Sequence, residues 1–141
     1  MKLYRIWPMA AAILAISACN QAESPTTVRE DVAEAQAEGQ RDTAEAYAEA
    51  QESMAGVQQD MQEAQSDHDM ADVAEHQDDA RDAAREGDYK IAVAQAESTH
   101  RVAVEKCDAM SGEAQDDCKQ RADDQLDRAK RDAEMRRDGA G

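Results

Sequence analysis

From Val28 onward, small and apolar residues return every three or four positions: Val28, Val32, Ala35, Gly39, Ala46, Ala50, Met54, Val57, Met61, Ala64 and Ala71. That period predicts one narrow apolar face on a helix. The steps of seven are interrupted between Gly39 and Ala50, so the pattern reads as a seam with a stutter rather than a strict heptad array. Thr27 is placed to cap the helix, with Glu30 completing a capping box. Gly87, preceded by Arg81 and Arg85, is placed to end it. The sequence therefore predicts one acidic helix over 28–87, of which residues 28–86 span about 88 Å at 1.5 Å per residue. Gly39 and Gly56 each cost such a helix about 1 kcal/mol relative to Ala, and both would let another helix come close.

Beyond Gly87 the pattern changes. Tyr89–Glu97 and His100–Asp108 match at a shift of eleven, with a ring, a base, a β-branched aliphatic, Ala, Val and an acid in the same order. Eleven residues are three helical turns, so the repeat restates one face. Ile91 and Val93, and Val102 and Val104, also alternate as in a strand, but Ala, Gln and Glu flank them and no turn residue separates the two stretches. Cys107 and Cys118 are eleven apart as well. On one straight helix their Cα atoms would lie about 16 Å apart, whereas a disulfide needs roughly 4.4 to 6.8 Å. Either the chain bends between them or they pair between molecules. Ser111-Gly112 supplies a turn signal in the interval, so the expectation is a helical hairpin over 88–138, turning near 111–112 and stapled within one chain. The predicted fold class is all-α: a long extended Ala/Glu/Gln-rich helix followed by a helical hairpin, partly disordered near both ends.

Composition sharpens this picture. The chain carries 16 basic and 32 acidic side chains and no Phe. Few aliphatics with high net charge ordinarily mean disorder. Yet the residues that dominate are Ala, Glu, Gln, Asp, Arg and Met, and most of them are strong helix formers. Residues 19–88 hold 4 basic and 20 acidic side chains, a charge of −16, while 89–141 hold 10 and 12, a charge of −2. So acidic a chain is not expected to seek nucleic acid.

The first residues carry an address. Lys2 and Arg5 precede an apolar run from Ile6 to Ile16, and Ile16-Ser17-Ala18-Cys19 ends it. A basic start, a short hydrophobic segment and small residues before a cut are the parts of a signal peptide over 1–18. The pattern resembles the bacterial lipobox, cut by signal peptidase II. That resemblance implies that Cys19 is acylated and becomes the first residue, and several acyl chains on one residue hold a protein firmly to a bilayer. Without residues 1–18 the chain has 14 basic and 32 acidic side chains, a formal charge of −18. Residues 19–27, polar and containing Pro25, then form a lipidated start and flexible tether. Asn20 rather than Asp after the cysteine implies, by the same resemblance, the periplasmic face of the outer membrane. Export would expose Cys107 and Cys118 to an oxidising compartment, and with Cys19 consumed by lipid they make one bridge. Glu105-Lys106-Cys107-Asp108-Ala109-Met110, Gly112 and Cys118 also resemble a segment of uncharacterised alanine-rich proteobacterial envelope proteins, which implies no activity. The long helix resembles the murein lipoprotein in composition alone, and the Gly139-Ala140-Gly141 end lacks that protein's terminal lysine.

Signals for chemistry are sparse. His68, Asp72 and His76 lie at i, i+4 and i+8 and are the candidate metal ligands. The outer two are about 12 Å apart along an axis, so one helix cannot close a site with all three. There is no Gly-rich phosphate loop, no Cys-x-x-Cys and no Ser/His/Asp arrangement backed by apolar residues. The expectation is no enzyme and no cofactor. The expected role is a lipid-anchored spacer, tether or interaction module, held to the membrane by its N-terminal lipid and meeting an envelope protein or a second copy of itself. A periplasmic metal or cation buffer and a stress-protective disordered chain are the alternatives.

Overall fold

The computed structural model describes residues 22–67 and 70–139. Cys19, His68 and the expected disorder at the ends lie outside these residues. The described fold is all-α: α1 spans Pro25–Ser66, α2 spans Met70–Cys107 and α3 spans Glu113–Arg137. The central helix α2 packs against both α1 and α3, which do not pack on each other. At 42, 38 and 25 residues the helices are about 63, 57 and 38 Å long.

The helix expected over 28–87 is two helices. α1 stops at Ser66, and the chain reverses into α2. Ser66-Asp67-His68-Asp69 are four successive poor helix formers. Ser66 Oγ bonds back to the Gln62 carbonyl, and the Asp67 N–H closes the last turn on the Glu63 carbonyl. Acids at a helix C-terminus also oppose its dipole. Folding back at that point lets the small-residue face of α1 bury itself against α2, which a single rod in water cannot do.

Gly87, expected to end a helix, lies inside α2. A Cβ there would sit 2.8 Å from Ala50 Cβ, so Gly87 marks a close crossing of α1 and α2. Gly39 marks another, because a Cβ on it would fall 2.5 Å from Ser98 Cβ. Gly56 has open space around it and serves no such approach. The start also differs: Ser24 caps α1, its Oγ accepting from the Thr27 N–H at 3.2 Å, with Pro25 in the first turn. Residues 25–27, expected to belong to the tether, are therefore helical.

The stutter in α1 is a regular feature. Val28, Val32, Ala35, Gly39, Thr43, Ala46, Ala50, Met54, Val57, Met61 and Ala64 form the seam, and all are buried or half-buried. Thr43 fills the gap in the apolar pattern, its Oγ1 donating to the Gly39 carbonyl at 2.7 Å. As far as Met61 the steps run 4, 3, 4 and repeat every eleven residues. That is about 3.67 residues per turn, close to the helix's own 3.6, so the seam keeps facing one partner along a nearly straight helix.

Where α3 lies alongside, α2 is covered on two sides. Ile91, Ala92, Val93 and Ala94, and again Arg101 to Glu105, are all half-buried. This is why apolar residues run consecutively there: they serve two neighbours, not two faces of a strand. From α3, Gln115, Ala122 and Ala133 are buried against α2. Ion pairs lock the three helices. Lys90 meets Glu49 at 3.1 Å, Arg101 meets Asp42 and Glu38, and Lys130 meets Glu97 at 2.7 Å. The last turn of α3 ends with Arg137 over the ring of Tyr89, 4.5 Å from its centroid.

Candidate functional site

The α2–α3 turn and the start of α1 meet at one end of the molecule. Cys107 is 1% exposed, and its Sγ lies 1.96 Å from Cys118 Sγ within the same chain, with Cα atoms 5.6 Å apart. α2 ends at Cys107, the Met110 N–H bonds to its carbonyl, and Gly112 at φ +60° begins α3. That left-handed conformation is one glycine adopts without strain.

The staple gathers polar partners around Asp108. Its Oδ1 accepts from Lys119 Nζ at 2.7 Å and from Gln115 Nε2 at 2.6 Å, and its carbonyl accepts from the Glu23 N–H at 2.7 Å. Asp108 and Lys119 each follow a bridged cysteine, so the disulfide itself brings the pair together. Sequence spacing offered that signal, an acid and a base directly after the two cysteines, but the role of Glu23 had none. The hydrogen bond that Lys119 donates to Asp108 is the main cause that raises the Lys119 pKa. Glu105 is pushed up from the ordinary carboxylate value, chiefly by burial and then by Asp108, Asp31 and Glu23.

Of the candidate metal ligands, His68 lies outside the described residues, Asp72 is exposed, and His76 is half-buried, with its Nδ1 3.5 Å from Asp79. Among the described residues no three His, Cys, Asp or Glu side chains converge on one point. None of the described helices is long and apolar enough to cross a membrane.

At the opposite end from the staple, α1 and α2 run past the end of α3 as a two-helix arm, residues 48–88. A groove of about 420 Å³ follows its α1–α2 seam, lined by Tyr47, Ala50, Met54, Ala84 and Gly87 among others. It shares Tyr47, Asp88 and Ile91 with a cleft against the last turn of α3 at Ala133, Arg136 and Arg137. The chain matches no protein-family model, no curated protein and no solved structure.

Proposed function

We propose that this is an exported lipoprotein, cut after residue 18 and acylated on Cys19, that stands on the periplasmic face of the outer membrane as a non-enzymatic spacer and interaction module. The observation that supports this reading best is the bond from Glu23 N–H to the Asp108 carbonyl. Four residue steps lead from Cys19 to Glu23, and they span at most about 14 Å. A lipid on Cys19 would therefore seat the disulfide-stapled turn beside the bilayer and direct the acidic arm away from it. The reach of such a spacer is the length of α1, about 63 Å, rather than that of a longer single rod. The surface presented to other envelope components is then the arm, and the hairpin turn serves as the foot. The dispersed carboxylates, with Asp72 exposed and His76 half-buried beside Asp79, give the metal-buffer alternative less support.

Mass spectrometry of the native product tests the address: an N-terminal Cys19 carrying diacylglyceryl and acyl mass is expected, and the Cys19→Ser variant should leave the membrane fraction. A product that starts elsewhere or lacks acyl mass would end the proposal. Orientation is read separately by cysteine labelling in intact outer-membrane vesicles, with Ala109→Cys, at the stapled turn, expected to lie closer to lipid-phase quenchers than Gln65→Cys, at the tip of the arm.

A further inference from the structure

We infer that the cleft where α3 ends is a binding site for a small carboxylate carried next to a flat apolar group. This goes beyond the spacer reading, and it stands on the cleft rather than on the lipid.

Aromatic side chains are scarce in this chain. Outside residues 1–18 there is no Phe and no Trp, and the tyrosines are Tyr47 and Tyr89 alone. Tyr47 belongs to α1 and Tyr89 to α2, yet both line one cleft of about 280 Å³. Tyr47 is 46% exposed there, and its hydroxyl makes no hydrogen bond among the described residues. Ile91, Ala92 and Ala133 extend the apolar part of the lining.

Cations gather at the same place. Arg85 of α2, with Arg136 and Arg137 of α3, lines the cleft beside a single acid, Asp88, in a chain of net charge −16. A guanidinium has five N–H donors. Each of these uses one, Arg85 on Asp82, Arg136 on the Asp132 carbonyl and Arg137 on Asp138. Asp82 and Asp138 are exposed and lie outside the lining, and exposed pairs of that kind hold weakly. Arg136 has no ion-pair partner among the described residues. Arg137 lies over the ring of Tyr89, and a guanidinium held by its face keeps N–H edges free for an oxyanion.

Paired N–H donors of this type suit a carboxylate or a phosphate. Asp88 at the rim and the acidic remainder of the chain oppose a dianion more than a monoanion, which selects the carboxylate. The two phenol rings select a flat apolar neighbour for it. The volume falls near the lower end for ligand pockets, about 300 Å³, so the ligand is one ring with a short acid arm rather than a larger cofactor.

The test uses the full chain in about 0.15 M salt, where attraction between well-separated surface charges is screened. The probes are 3-phenylpropionate, a free acid, and the acetylated tripeptide Gly-Gly-Phe, a chain end, each beside its uncharged amide. Ring signals of Tyr47 and Tyr89 in nuclear magnetic resonance read the cleft directly, and Tyr47→Leu tells the two apart. Both rings should shift saturably with the acids, and the amides should bind about 10-fold more weakly. Arg136→Gln should weaken the acids about 10-fold. Arg128→Gln, exposed on α3 outside the cleft, should change binding less than about 2-fold. Tyr47→Leu keeps an apolar side chain without the ring and should weaken binding about 3-fold, read on Tyr89. Circular dichroism establishes that the variants remain helical, and Arg85→Gln serves if Arg136→Gln does not. Tighter binding of the free acid assigns the site to a small organic acid, and tighter binding of the tripeptide to a protein C-terminus; either upholds the site. Unmoved rings, equal binding of acid and amide, or equal weakening by Arg136→Gln and Arg128→Gln would overturn it. Phenyl phosphate binding more tightly than 3-phenylpropionate would overturn the choice of a carboxylate. None of these results bears on whether Cys19 is acylated.

Discussion

The stapled base and the two-helix arm are built from similar residues and differ in what covers them. In the base, α2 has a neighbour on either side: Arg101 pairs with Glu38 and Asp42 of α1, Glu97 pairs with Lys130 of α3, and a covalent link joins Cys107 and Cys118. In the arm, one seam of Ala, Met and Val joins two helices, with Ala64 and Val73 buried toward its tip. Alanine buries little area, and at about 25 cal/mol per Å² a single such seam stabilises weakly. The difference teaches that a core-poor chain can hold its fold by concentrating closure at one end and leaving the other joined by a single seam. Local opening should follow the same gradient, with amide exchange faster in 55–80 than in 91–107.

Removing the staple should separate base from arm most sharply. Cys107→Ala with Cys118→Ala opens a short loop and is expected to cost about 3 kcal/mol in urea unfolding. The protection of amides in α3 should fall most, and that of the arm least. Equal loss in both regions would mean that the two unfold as one unit.

Next in size is a pair of glycine substitutions. Gly39→Ala drives a Cβ into Ser98 and should destabilise by about 1–3 kcal/mol. Gly56→Ala meets nothing within 4 Å and should stabilise by about 0.5–1 kcal/mol through helix propensity alone. Thermal melts of both variants check the opposite signs, and a loss at Gly56 would show that the arm is packed more tightly than its open surroundings imply.

The smallest effect concerns Glu105. Its folded pKa is raised, so the folded chain holds that proton more tightly than the unfolded chain does. The group's contribution to stability is absent well above the folded pKa, grows as pH falls through it, and is complete below the ordinary carboxylate value. At pH 7 the charged Glu105 is therefore a small liability, and Glu105→Gln should raise the melting temperature slightly there. The gain should vanish near pH 4. An equal gain at both pH values would place its cause in packing rather than in charge.

Much of this architecture was legible in the residues. The seam from Val28 to Ala64 appears position for position, with Thr43 added, because helical periodicity is local and needs no partner to be read. The Cys107–Cys118 spacing with Gly112 between pointed to the turn for a reason of length alone. Gly87 misled, since a glycine that ends a helix and one that admits a neighbouring helix look alike until the neighbour is known. The break between α1 and α2 had only a weak propensity signal in the sequence Ser66-Asp67-His68-Asp69, and that was outweighed by the apolar pattern resuming at Ala71. The polar cluster on Asp108 was half visible: Lys119 follows from the staple, while Glu23 arrives from the other end of the chain.

By itself, the sequence determined that this chain is helical, where its apolar stripe lies, and that two cysteines could meet only at a bend. These follow from backbone propensity and spacing, which act over a few turns. Tertiary structure decided that the long acidic stretch folds back on itself, that Gly39 and Gly87 are crossings, and that the start of α1 docks on the stapled turn. Those outcomes depend on which surfaces find each other between segments far apart along the chain, and burial of that kind leaves no local mark.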